Sequence, residues 1–389
     1  MLAAGHSVGD ARAARFTGQP QRRVFAPQLP IRPFTLHVAD DAVADLRERL
    51  ARTRFPDEPP LPAWSTGTSL DYMRELVVAW REHFDWRKHE ARINRFRQFK
   101  VPLRGIDLHF IHQPGRSANA MPLLISHGWP GSIVEFLELI PLLAERFTVV
   151  APSIPGYTLS FTPGQPRFGT EEIAECYAEL MAQLGYERYG VQGGDWGAFI
   201  GSRLAARYPE RVIGLHLNLL AVRRDPKIAA ATPEEGEYLR QLAHWLKEET
   251  GYQAIQGTKP QTLAYGLSDS PAGLAAWIAE KFRTWSDGGI REEDMLANIS
   301  LYWLTGAIGS SFWPYHARLH RPWPFETVAV PVGYTEFPKE ILKPPRSLAA
   351  KTYTDIRRWT VMKKGGHFAA LEQPRELASE ISAFFDALT

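Results

Sequence analysis

The 389-residue chain has a single cysteine, Cys176. An intramolecular disulfide is therefore excluded, and the composition suits a reducing compartment, so a cytoplasmic location is expected. Net charge is almost absent as well, with 45 Lys and Arg against 43 Asp and Glu. No electrostatic case for a nucleic-acid partner follows from that balance. No apolar run approaches the roughly 18 uninterrupted residues that a membrane span requires. The first residues, MLAAGHSVGDARAARFTGQPQRR, lack the apolar stretch of a signal peptide or anchor, and residues 1–25 read as a disordered tail rather than a transit peptide. A last absence concerns chemistry. No G-x-S-x-G occurs anywhere, and Cys176 lies within the helical-looking GTEEIAECYAELMAQLG. Neither a serine nor a thiol is available as an elbow nucleophile.

What is present begins with a change of pattern along the chain. After the Pro-rich FAPQLPIRPF, the stretch DDAVADLRERLARTRF places Val43, Leu46 and Leu50 at helical spacing. PDEPPLPAW then forbids helix and central strand, since proline lacks an N–H and restricts its predecessor. A second helix is expected in STGTSLDYMRELVVAWREHF, with Thr68 and Asp71 spaced as a capping box. Residues 26–100 thus form an N-terminal helical and meandering region.

From about residue 100 the period shortens. VPLRGIDLHFIHQPG reads as a hairpin, and buried-strand candidates follow in MPLLISHG, FTVVAPSIPG, YGVQGGD, VIGLHLNLL, VAVPVGYTE and WTVMKKGG. Helical segments separate the earlier ones, so the fold class is α/β with a mainly parallel sheet flanked by helices. Alternation stops between residues 226 and 322, where PEEGEYLRQLAHWLKEE and AGLAAWIAEKF are helical. The expected organisation is a core of residues 101–225 and 323–389, with residues 226–322 inserted as a helical cap.

Three loops fall at the carboxyl ends of strands, where open parallel sheets bind ligands. They are HGWPG (His127 to Gly131), GGDWG around Asp195, and GGHF around His367. Each alone is weak, since Asp and Gly are common in turns. In the order oxyanion loop, elbow, C-terminal histidine they fit one hydrolytic machine. A carboxylate at the elbow is already ionised near neutral pH, so Asp195 attacks without a base. Its ester with an alkyl carbon must then be cleaved by water, and that step requires a base, for which His367 is suited. Backbone N–H groups of Trp129 and Trp196 are the candidates for holding the oxyanion.

HGWPGS, GGDWGAFIGS and KGGHFAALEQP resemble the epoxide hydrolases of the α/β-hydrolase superfamily. WREHFDW and the cap's GYQAIQGTKPQTLAYGLSDSP resemble the microsomal-type branch, from about residue 32 to the C-terminus. An N-terminal membrane anchor like that of the mammalian microsomal enzyme is not expected here. The resemblance implies Asp195 as nucleophile, His367 as base and Glu340 of FPKEIL as orienting acid, with Glu336 and Asp355 as competitors and Glu372 less favoured. It also implies two cap tyrosines that donate to the epoxide oxygen, Tyr252 and Tyr315, while Tyr265 and Tyr302 are taken as packing residues. The cap aromatics Trp245, Trp277, Phe282, Trp285, Trp303, Phe312 and Trp313 suit a lipophilic epoxide. Water is the second substrate, no cofactor or metal is expected, and a homodimer is the expected assembly. A haloalkane dehalogenase shares the aspartate ester and uses indole N–H groups on halide, so Trp129 and Trp196 keep that reaction open.

Overall fold

The computed structural model describes residues 29–322 and 326–388; the expected N-terminal tail lies outside them. Among the described residues one sheet runs through the molecule, with strands β1 (Arg32–Phe34), β2 (Gln98–Leu103), β3 (Ile106–Gln113), β4 (Met121–Ser126), β5 (Phe147–Pro152), β6 (Tyr189–Gly193), β7 (Val212–Leu217), β8 (Val332–Glu336) and β9 (Ile356–Val361). Their spatial order is β1-β2-β3-β5-β4-β6-β7-β8-β9. The first three strands and the β3–β5 pairing are antiparallel; every pairing from β5 through β4 to β9 is parallel. The central strands are apolar runs because both faces are covered: Leu123, Leu124, Ile125, Val149, Val150 and Leu215 have no exposed surface.

Several boundaries differ from the sequence reading. β1 was not expected, because its middle residue is proline; it pairs only with β2, at the sheet edge, where proline is tolerated. The expected division between residues 100 and 101 falls inside β2. β9 begins at Ile356, so the lysines and glycines of WTVMKKGG form a loop. The second N-terminal helix starts at Leu70 with Ser69 at its N-cap, and the Ser69 side chain makes no cap bond. Thr68 is drawn off instead: its hydroxyl donates to the carbonyl of Ala276 at 2.8 Å, while Glu58 accepts from the Leu70 amide.

Residues 233–320 are mostly helical, from Pro233–Glu248 to Trp313–His320. The N-terminal region packs against them. Trp80 Nε1 donates to Ser300 Oγ at 2.8 Å and Arg92 donates to Asp294 at 2.6 Å. Both partners lie on the cap helix Glu292–Thr305. The same helix holds the HGWPG loop from above, Asn298 donating to the Pro130 carbonyl and Tyr302 to that of Gly131. Among the described residues no helix is long and apolar enough to cross a membrane.

Candidate active site

β6 ends at Gly193 and the next helix starts at Asp195. The turn between them leaves Asp195 with φ of +45°, a left-handed conformation that a residue with a Cβ adopts at a cost of about 1 kcal/mol or more. Close packing keeps the turn there. A Cβ on Gly193 would lie 2.3 Å from the Gly197 carbonyl oxygen, and one on Gly197 would lie 2.0 Å from that of Ser126. The small residues of GGDWG therefore let the elbow sit directly on the end of β4. The strained turn places the carboxylate beyond the carboxyl end of β6.

Three polar contacts fix what surrounds it. The Trp129 amide donates to Asp195 Oδ1 at 2.7 Å. His367 Nε2 lies 3.5 Å from Asp195 Oδ2, and His367 Nδ1 lies 2.7 Å from Glu340 Oε1. Glu340 is placed by a parallel bridge between the loops after β8 and β9, in which the Lys339 amide donates to the Gly365 carbonyl. Its Oε1 also accepts from the Ile341 amide. The other carboxylates are engaged elsewhere. Asp355 pairs with Arg357. Burial raises the pKa of Glu336 at the end of β8, and that of Glu372, which accepts from the amides of Asp287 and Gly366. Burial disfavours the imidazolium of His367, but Glu340 and Asp195 outweigh it and push its pKa up to about 10. The amide of Trp196 precedes the first intrahelical bond, Ala198 N to Gly194 O, and so belongs to the first-turn N–H groups free to bind an oxyanion.

The cap closes the site with aromatic rings. Trp129 stacks on Tyr252 with centroids 5.4 Å apart and meets Tyr315 edge-on at 5.9 Å. Tyr315 meets Trp196 edge-on at 4.8 Å, and the two tyrosine rings are 5.8 Å apart. Burial, with a smaller contribution from the Asp195 charge, pushes the Tyr252 phenol up; burial and the neighbouring Tyr252 do the same for Tyr315. Both phenols stay protonated and available as donors. Gln253 donates to the Tyr252 oxygen at 2.8 Å, which leaves the phenolic proton free to be given elsewhere.

Sequence reasoning missed several neighbours. Lys281 places Nζ 4.5 Å above the Tyr252 ring. Arg318, one turn beyond Tyr315, lies over Phe199, and burial draws its guanidinium down to about 10. Tyr302 is buried as expected, yet it also anchors the Gly131 carbonyl. Tyr265, taken as a packing residue, is 72% exposed and packs little, because it faces outward from the cap helix Pro260–Asp269. Of the cap aromatics, Trp285 and Phe312 reach the site, whereas Trp245 belongs to a separate cluster with Leu342. No group of three or more His, Cys, Asp or Glu side chains is arranged to hold a metal among the described residues.

The sheet order, elbow and facing histidine define an enzyme of the α/β-hydrolase fold, and residues 121–285 match the family described as alpha/beta hydrolase fold. Residues 31–136 match the family described as Epoxide hydrolase N terminus. The chain is 36% identical to Epoxide hydrolase 1 of Oryctolagus cuniculus, across 94% of this chain and 91% of that one. Among solved structures, juvenile hormone epoxide hydrolase from the silkworm Bombyx mori superposes with a TM-score of 0.84 at 30% identity, covering 92% of this chain and 95% of that one. The Aspergillus niger epoxide hydrolase superposes with a TM-score of 0.83 at 32% identity, covering 93% and 97%. The chain belongs to the epoxide hydrolase family.

Proposed function

We propose that this epoxide hydrolase opens a lipophilic epoxide through an ester on Asp195 and releases the vicinal diol. Oδ1 is held by the Trp129 amide, so Oδ2 is the oxygen that attacks the ring carbon. As that carbon–oxygen bond breaks, the leaving oxygen takes a proton from Tyr252 or Tyr315. Esterification removes the Asp195 charge, one of the causes that raise the His367 pKa. The neutral imidazole is thereby favoured after the first step, when it must take a proton from water. The hydroxide attacks Asp195 Cγ, charge collects on Oδ1 beneath the amides of Trp129 and Trp196, and the ester bond breaks as the diol oxygen regains a proton from His367. The second water hydrogen, left on the Asp195 carboxyl, passes to the tyrosinate and restores both groups.

The observation that carries this reading is the pair of cap phenols facing the Asp195–His367–Glu340 array. The indole N–H of Trp129 is buried without an acceptor among the described residues, which is what a halide site would use. The test is therefore competitive: styrene oxide scored for diol and 1-bromobutane scored for halide. Diol without halide is expected, and halide without diol would end the epoxide reading. We further propose that the enzyme acts in the cytoplasm as a homodimer, which the mass in solution from light scattering checks against the 43.9 kDa chain.

A further inference from the structure

One carboxyl group beside the nucleophile has no part in those steps. Glu135 lies on the short helical turn Ile133–Phe136 that follows HGWPGS. Its position is set from both sides. Ser132 caps the turn by accepting from the Val134 amide and donates in turn to Asn298 of the cap at 2.7 Å. A Cβ on Gly131 would lie 1.5 Å from Glu135 Oε1, so the glycine leaves the space that the carboxyl occupies. Among the described residues this carboxyl makes no hydrogen bond and no ion pair.

It faces a cavity instead. A space of about 20 Å³ is lined by Glu135, Asp195, His367, Trp129, Phe136 and Phe368. A single water requires roughly 10–15 Å³ and two to four polar partners. Asp195, His367 and Glu135 supply those partners, and the phenyl rings exclude further solvent. We propose that this cavity seats the hydrolytic water and that Glu135 is its second acceptor, so that one hydrogen of the water points to His367 Nε2 and the other to Glu135.

With both hydrogens directed, a lone pair of the water oxygen is aimed at Asp195 Cγ. The proton that leaves goes to His367, the new bond is oxygen to Cγ, and the bond that breaks joins the ester oxygen to Cγ. Glu135 gains and loses no proton over the cycle. Either protonation state of its carboxyl retains an acceptor oxygen. Burial, assisted by the Asp195 charge and opposed by His367, pushes the carboxyl up to about 8, in keeping with an enclosed site. The epoxide has no such use for Glu135, because its oxygen is served by the tyrosines. The residue therefore acts on the second step alone.

This inference rests on the epoxide hydrolase reading, and single-turnover kinetics with styrene oxide separates the two. If the wild-type enzyme makes no diol, that reading fails. Given diol, E135A is expected to alkylate Asp195 within about 2-fold of wild type and to hydrolyse the ester about 10–100-fold more slowly. In the steady state kcat and KM then fall together while kcat/KM holds, and intact-protein mass shows the adduct accumulating. E135Q keeps a carbonyl acceptor and should recover most of the lost rate. G131A supplies an independent arm if E135A fails to fold, since it displaces the carboxyl without removing it; the same shift toward adduct is expected, in milder form. Equal slowing of both steps, an unchanged hydrolysis rate in E135A, or E135Q no better than E135A overturns the proposal.

Discussion

The two walls of the site are built by different means. On the core side each group is held by a directional polar contact: Trp129 N to Asp195, Asp195 to His367, His367 to Glu340. On the cap side Tyr252 and Tyr315 are held chiefly by ring contacts with Trp129, Trp196 and each other. Hydrogen bonds fall off steeply with angle and distance, whereas ring packing tolerates small shifts. In the proposed mechanism the core wall would fix where the covalent bond forms, and the cap wall would supply two donors that partly replace one another. Loss of a group should be nearly absolute on one side and graded on the other.

The largest effect tests the absolute side. Asp195→Ala removes the carboxylate that carries the ester and should lower diol formation at least about 10⁴-fold while leaving the fold intact. Circular dichroism and product analysis check both halves of that statement; an unaffected rate would falsify the covalent route. His367→Gln should be nearly as severe, but with a different readout. Alkylation proceeds and hydrolysis stops, so the tryptic peptide carrying Asp195 gains the mass of one epoxide. A variant that is inactive yet unmodified would place His367 before the ester rather than after it.

The graded side comes next. Tyr252→Phe and Tyr315→Phe should each slow ring opening by about 10–100-fold, and the double variant by about 10³-fold or more, because each single variant keeps one donor. Hydrolysis of an ester already formed should be unchanged in all three, as rapid-quench measurements can show. A single tyrosine variant as inactive as the double one would contradict the idea of interchangeable donors and erase the contrast between the walls.

That contrast also explains what the sequence made legible. The core loops were readable because close approach demands small residues, so GGDWG and HGWPG stand out in the order of the amino acids alone. The parallel sheet was readable because strands buried on both faces are unbroken apolar runs. Contacts across long separations were not. β1 depends on pairing across roughly 65 residues with β2, and nothing local overrides its proline. Thr68 satisfied a local capping pattern, but its hydroxyl was taken by Ala276. The resemblance of FPKEIL singled out Glu340 over Glu336, but the bridge between Lys339 and Gly366 beside it is encoded by no local pattern. Glu135 gave no cue at all, since an isolated glutamate after a loop looks like any solvated side chain until Gly131 and Asn298 are seen around it.

The smallest expected effect concerns stability rather than rate, and it belongs to the core side. Burial holds His216 on β7 down to about 3 and His127, after β4, down to about 4, both against an ordinary value near 6.5. His216 Nε2 meets Thr335 Oγ1 at 3.0 Å on the neighbouring β8. A depressed folded-state pKa means that the unfolded chain binds the extra proton. The stability these histidines contribute is therefore present above about pH 6.5 and is lost as pH falls toward 4 and 3, with a limiting slope of about 1.4 kcal/mol per pH unit for each site. His367 and Glu135 work in the opposite direction: their raised values favour the folded state at low pH, and that contribution fades as pH rises through about 10 and about 8. Urea midpoints measured from pH 7 to pH 4 should fall for the wild-type protein, and His216→Gln should show a shallower fall whatever its stability at neutral pH. An unchanged slope in that variant would mean that the imidazole is charged inside the sheet, and the acid sensitivity would then have to arise outside the core.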